Sequence, residues 1–145
     1  ISYHNRATLP DDETEQCLFF AKLLRDADKL DILRVVTGYY RHKGNHRNEA
    51  LELDLPDTPE FSDEIIKDLT NRHIVNINYL RTLNDFKLLQ AGWVFDINFD
   101  ATFAAVRSRR YLDMIFDALP DSEKIQKLFK LIQIYLTEKI EKAKK

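Results

Sequence analysis

Apolar residues recur at helical spacing over most of the chain, from about residue 12 to residue 142. Spacings of three and four residues place apolar side chains on one side of a helix, whereas a strand needs alternation. Because the sequence also lacks the turn-residue clusters typical of β-rich folds, the pattern predicts an all-α protein of five or six helices. The predicted helices run from about Asp12 to Val36, Ser62 to Asn71, Leu83 to Ile97, Ala101 to Leu119, and from Asp121 towards the basic tail that begins at Lys139.

The first of these helices carries a carboxylate within its apolar arc. At about 100° per residue, Asp28 falls in the middle of that arc. The apolar members of the arc are Cys17, Ala21, Leu24 and Val35. The opposite side gathers Lys22, Asp26 and Lys29, and Lys29 is expected to be solvated. A buried, ionised carboxylate needs compensation, so Asp28 is expected either to pair with a cation from another helix or to bind a metal.

Composition sets the class of protein. A chain of 145 residues with 44% hydrophobic residues is long enough for one domain with its own core, residues 1–145. With 32% charged residues and only 3 Gly, helices are favoured. The net charge of -2 gives no global field to attract nucleic acid or an anionic membrane, and no run of eighteen apolar residues predicts a membrane span. The cytoplasm is the expected compartment, and the single Cys17 is expected to be a core thiol.

Several other polar residues are candidates for a site. Arg25, one turn before Asp28, either orients a phosphate or forms an ion pair with Asp26 or with another helix. Asp31 lies about 60° from Asp28 around the helix, and three roles are open for it: a helix cap, a salt bridge, or support of a metal ligand. Asp85 and Asp96 are eleven residues apart and would share a side of one helix, facing either a pocket or a cap and solvent.

A basic, aromatic segment follows the first helix. Tyr39 to Arg47 reads as a mobile loop that faces a phosphate pocket or as a solvated connection between helices. His42 and His46 have the spacing of a helical metal chelate, but Gly44 and Asn45 between them disfavour a helix and therefore a zinc site.

The order of motifs in the first forty residues resembles an HD-domain phosphohydrolase core. The matching stretches are Ile1-Ser2-Tyr3-His4-Asn5-Arg6, the turn Leu9-Pro10, and the helix end Leu24-Arg25-Asp26-Ala27-Asp28-Lys29-Leu30-Asp31. That family holds a divalent metal with a His, a His-Asp doublet and a final Asp on a bundle of helices, and it hydrolyses phosphate esters. The resemblance implies that Asp28 is the final metal ligand and that His4 lies near the metal or the substrate phosphate.

The chain also departs from the family pattern. It contains no His-Asp dipeptide, and only three residues precede His4, so the first His and the doublet are missing. Because the chain opens at Ile1 without Met, we expect an incompletely represented polypeptide: residues 1–40 resemble the later part of an HD core, and residues 41–145 form a helical extension. The expected fold is therefore an HD-like helical bundle that is incomplete at its amino end.

Two functions follow from these expectations. The first is the carboxyl-terminal portion of a metal-dependent HD-type phosphohydrolase that acts on a phosphate ester such as a nucleotide. The alternative is a non-catalytic helical module, a degenerate HD fold that binds a ligand or a protein. Since most metal ligands are missing, the 145 residues alone are expected to bind divalent metal weakly or not at all. Apolar surface left uncovered by a missing amino-terminal segment would favour self-association.

Overall fold

The computed structural model describes residues 14–42 and 47–144, and within these residues the protein is all-α. Six α-helices and no strand occur in the described ranges, which confirms the predicted class and helix number. Two short 3₁₀ helices, Ile77–Tyr79 and Gly92–Asp96, precede and follow the third α-helix. The α-helices are α1 (Glu15–His42), α2 (Asp63–Thr70), α3 (Leu83–Ala91), α4 (Asp100–Ser108), α5 (Tyr111–Asp117) and α6 (Glu123–Ala143).

The last helix, α6, forms one wall of the hydrophobic core. Ser122 caps it by accepting a hydrogen bond from the backbone N–H of Ile125 at 3.2 Å. Its buried residues follow the spacing of three and four that the sequence predicts, and the helix packs against α2, α4 and α5. These buried residues are Ile125, Leu128, Ile132 and Leu136.

The predicted helix from Leu83 to Ile97 is two elements. A capping box of Thr82 and Asp85 begins α3, and the geometry tightens into a 3₁₀ helix at Gly92. A Cβ atom at Gly92 would lie 2.6 Å from Cδ2 of Leu69, so a larger residue would require the Leu69 side chain to move. Since the turn changes from 3.6 to 3 residues, Asp85 and Asp96 do not continue one helical side.

The predicted helix from Ala101 to Leu119 is also interrupted. α4 ends at Ser108, α5 begins at Tyr111, and Arg110 between them adopts a left-handed conformation with φ of 59°. Non-glycine residues rarely adopt this conformation, and apolar periodicity does not reveal it. The break turns Arg109 and Arg110 away from a continuous helical face.

The first helix is longer than predicted, because α1 continues through Thr37 and Gly38 to His42. The Thr37 hydroxyl donates a hydrogen bond to the carbonyl of Leu33 at 2.6 Å and is buried with it. A glycine lowers helix propensity by only about 1 kcal/mol, which packing of the buried residues around it overrides. α1 lies against α4 and α5.

Candidate functional site

The side of α1 that faces the rest of the protein is rich in charged residues. Arg25, Asp26 and Lys29 are 7%, 2% and 9% exposed. The expectation that Lys29 is solvated was therefore wrong, and Asp26 on the same side is buried as well. The apolar pattern did not identify the buried side, because the buried charges have partners that lie far away in the sequence.

Asp96 is the partner of the two buried cations. Its Oδ2 atom lies 2.7 Å from Nη2 of Arg25 and 2.9 Å from Nζ of Lys29. The Asp96 side chain is only 24% exposed, so the ion pairs are largely shielded from water. Of the alternatives for Arg25, the ion pair with another element is the one found, although its partner belongs to a 3₁₀ helix and not to Asp26.

Asp26 holds the segment that leads into α4. Its carboxylate accepts hydrogen bonds from the backbone N–H of Asn98 at 3.0 Å, from the Asn98 side-chain amide at 3.0 Å and from the backbone N–H of Phe99 at 2.9 Å. Phe99 immediately precedes α4, so its N–H group lies outside the hydrogen bonds of that helix. Asp26 thus fixes α1 to the start of α4.

The opposite side of α1, called here the outward side, is apolar and exposed. It carries Phe20, Leu23 and Val35, which are 53%, 46% and 39% exposed, together with Cys17. Cys17 is exposed, so the expectation of a core thiol was wrong. Of the predicted apolar arc, Cys17 and Val35 are exposed and Leu24 is half-buried, whereas Ala21 is buried.

Asp28 is half-buried, at the position on α1 where the helical arithmetic places it among the apolar residues of the outward side. Its neighbour Asp31 is exposed and accepts an ion pair from Arg34 at 2.9 Å, with both side chains about two-thirds exposed. Of the open roles for Asp31, the structure shows the salt bridge. His4, the other candidate site residue, lies outside the described residues.

Within residues 14–42 and 47–144, no group of three His, Cys, Asp or Glu side chains is placed to hold a metal ion. A tight transition-metal site needs three or four protein ligands. The half-buried carboxylate of Asp28 is a suitable oxygen ligand for a divalent cation, but it is one ligand. His42 is exposed at the end of α1, and His46 lies outside the described residues.

The remaining candidate carboxylate, Asp85, is structural. It is fully buried and accepts hydrogen bonds from the backbone N–H and hydroxyl of Ser62, both at 2.7 Å. The backbone N–H groups of Arg81 and Thr82 also donate to it, at 3.0 and 3.3 Å. A carboxylate with four donors of this kind caps α3 and fixes α2 to it. Its oxygens do not face a pocket.

Glu52 accepts hydrogen bonds from both described ends of the basic, aromatic segment Tyr39 to Arg47. The Tyr39 hydroxyl donates to Oε2 of Glu52 at 2.6 Å, and Nε of Arg47 donates to Oε1 at 2.8 Å. Glu52 is fully buried, and its hydrogen bond with Arg47 raises the pKa of the arginine. Neither Tyr39 nor Arg47 is therefore directed at a phosphate pocket.

A cavity of about 400 Å³ lies where the end of α1 meets the turn between α4 and α5. Its wall includes Tyr40, Arg41, Arg109, Arg110, Met114 and Asp117. The Tyr40 hydroxyl donates to Oε1 of Gln90 at 2.7 Å, and burial raises the pKa of Tyr40, so this hydroxyl stays protonated. The sequence gave no signal that the fold brings Arg41 together with Arg109 and Arg110.

None of the helices in the described ranges is long and apolar enough to cross a membrane. No protein-family model, no curated protein and no solved structure matches this chain.

Proposed function

We propose that this chain is the carboxyl-terminal portion of an HD-type metal-dependent phosphohydrolase that acts on a phosphate ester, with nucleotides as one candidate class. In this proposal Asp28 is a ligand of the divalent metal, and His4 lies beside the metal or the scissile phosphate. The motif around Asp28 is the reason for naming this family.

The observation that carries the proposal is the outward side of α1. It places a half-buried carboxylate, Asp28, on the same helical side as the exposed residues Cys17 and Val35. Apolar patches of this kind mark surfaces that another element covers. If further helices pack there, Asp28 becomes enclosed, and an enclosed carboxylate is stable when a cation compensates its charge.

The roles of the nearby residues follow from which side of α1 they occupy. A divalent metal, when bound, supplies an activated water and polarises the phosphoryl oxygen. Asp28 would hold the cation, whereas Arg25 and Lys29 are engaged with Asp96 on the inward side. These two cations therefore fix α1 in position and do not contact the phosphate.

The experiment is Asp28→Asn in the full-length gene product, with Asp31→Asn as the matched control on the same helix. Asparagine keeps the shape of the side chain and removes the charge that would hold a cation. We expect Asp28→Asn to lower bound metal and phosphohydrolase activity together by at least about tenfold, with an unchanged melting temperature, since losing one metal–carboxylate contact removes 1.4 kcal/mol or more. Asp31→Asn should leave all three quantities unchanged.

The competing role for Asp28 is an ion pair inside the protein. Removing one partner of a buried pair typically costs about 3–5 kcal/mol. A large drop in melting temperature with unchanged metal content would therefore overturn the metal assignment.

The exposed apolar side chains also support the second candidate, a non-catalytic helical module that binds another protein. Phe20 and Leu23 are about half exposed, which suits a protein contact. Metal content and phosphohydrolase activity of the full-length gene product distinguish the two candidate functions. Stoichiometric divalent metal that depends on Asp28 supports the enzyme, whereas a metal-free protein with no phosphohydrolase activity supports the module.

A further inference from the structure

The cavity at the end of α1, defined above by Tyr40, Arg41 and the α4–α5 turn, has an excess of positive charge. Arg110 is paired with Asp113 at 3.4 Å. Within the described part of the chain, neither Arg41 nor Arg109 forms an ion pair with a carboxylate. The closest polar partner of Arg41 is the sulfur of Met114 at 3.9 Å, which is a weak acceptor.

A further cation lies beneath the cavity wall. Lys87 is 5% exposed, and its Nζ atom donates to the carbonyl of Ala118 at 2.8 Å. The same atom lies 5.3 Å from the centre of the Tyr40 ring. Tyr40 and Ala118 both line the cavity, so the buried charge adds to the field inside it. The negative charges on the wall are Asp113, already paired, and Asp117.

The wall is also partly apolar. The ring of Tyr40 is held by its hydrogen bond to Gln90, and Met114 lies beside it, half-buried. A fixed aromatic ring and a thioether form a surface suited to a flat organic group. The cavity of about 400 Å³ has the volume of a small-molecule site.

We propose that this cavity binds a small phosphorylated molecule, with the phosphate on Arg41 and Arg109 and the organic part against Tyr40 and Met114. Guanidinium groups donate two parallel hydrogen bonds to phosphate oxygens, and two arginines without carboxylate partners have this capacity available. The expected ligand is a phosphate monoester of a compact, flat group. The carboxylate of Asp117 on the cavity wall repels a ligand that carries further negative charge.

The site is independent of the metal site proposed above. Tyr40 follows Asp28 by twelve residues of continuous helix, which is about 18 Å at 1.5 Å per residue. A phosphate bound at the metal therefore cannot also contact Arg41. Failure of either proposal leaves the other standing.

The test is titration calorimetry of the chain with phenylphosphonate, whose P–C bond is not hydrolysed, and with inorganic phosphate. We expect phenylphosphonate to bind more tightly than phosphate, because only the former contacts Tyr40 and Met114. Arg41→Gln and Arg109→Gln should each weaken binding about tenfold, the usual effect of losing a charge-assisted hydrogen bond. Arg34→Gln makes the same charge change on α1 away from the cavity and should have no effect.

Asp117→Asn supplies a test of opposite sign. Removing this carboxylate from the wall should strengthen phenylphosphonate binding, and Asp117 is exposed, so the variant should fold. Circular dichroism and melting temperature check that each variant is folded. The proposal is overturned if phenylphosphonate does not bind at millimolar concentration, if binding survives both arginine substitutions, or if Asp117→Asn weakens it.

Discussion

The two long helices, α1 and α6, relate to the core in opposite ways. α6 buries its apolar residues, Leu128, Ile132 and Leu136 among them, and leaves its charged residues in solvent. α1 buries Arg25, Asp26 and Lys29 and exposes Phe20 and Leu23. The apolar residues of α6 gather on its buried side, whereas those of α1 are divided between a buried side, with Ala21, Leu33 and Val36, and an exposed side.

The difference shows what holds each helix in place. α6 is held by burial of apolar area, which is non-directional and tolerates variation in its neighbours. α1 is held both by burial of Ala21, Leu33 and Val36 and by directional contacts, since buried charges are stable only with partners at hydrogen-bonding distance. Asp96 and the backbone of Asn98 and Phe99 supply those partners. The outward side of α1 is then left for contact with something else.

The largest expected effect distinguishes the buried apolar side of α6 from the exposed outward side of α1. Ile132→Ala in α6 removes a fully buried side chain and should lower the free energy of unfolding by about 4 kcal/mol, within the range for Ile→Ala in a core. Leu23→Ala on the outward side of α1 should change it by less than about 0.5 kcal/mol. Chemical denaturation of both variants measures this. Equal losses would mean that the outward side of α1 is packed in solution.

The next prediction concerns the charges that fix α1. Asp96→Asn leaves Arg25 and Lys29 buried without their carboxylate and should cost about 3 kcal/mol, the lower end for a broken buried pair, because Asp96 is one-quarter exposed. The matched control is Asp31→Asn, whose ion pair with Arg34 has the same 2.9 Å length as that of Lys29 but is exposed. It should cost no more than about 1 kcal/mol. Similar costs would show that burial does not distinguish the two pairs.

Asp26→Asn should have a smaller effect. The amide retains one oxygen acceptor for the N–H groups of Asn98 and Phe99 but loses the charge and the second acceptor, at a cost of about 2 kcal/mol. Hydrogen exchange at Asn98 and Phe99 should accelerate more than the change in global stability explains. Asp63→Asn, at an 85% exposed side chain, serves as the control. Unchanged exchange at both amides would contradict the anchoring role.

The smallest effect on stability is expected from the outward side itself. Phe20→Ser with Leu23→Ser should change the free energy of unfolding by less than about 0.5 kcal/mol per site but reduce self-association of the isolated chain. Sedimentation velocity over a range of concentrations measures the association. If the unchanged chain shows no association at high concentration, its apolar side does not bind a second copy.

The helices were predictable from the sequence to different degrees. Element α6 was predicted close to its observed bounds, because an amphipathic helix that packs on its own chain obeys its apolar period. The carboxyl end of α1 and the breaks at Gly92 and Arg110 were not, since contacts with residues distant in sequence decide them.

The candidate site was predictable only in part. Helical arithmetic placed Asp28 among the apolar residues of α1, and that position is independent of the rest of the fold. Whether this side was buried depended on Asp96, Asn98 and Phe99, which lie about seventy residues further along the chain. No sequence pattern predicted the cavity between Arg41 and Arg109, because it forms only where the end of α1 meets the turn between α4 and α5.

The sequence by itself determined the helical class, the approximate number of helices and which side of each helix is apolar, because these depend on spacing within a few residues. The tertiary structure alone decided which side of α1 faces the protein. A local pattern reports the hydrophobicity of a surface, whereas the choice between an apolar and a charged side depends on partners that the folded chain brings together. For α1 those partners are the carboxylate of Asp96 and the backbone N–H groups of Asn98 and Phe99, which precede α4.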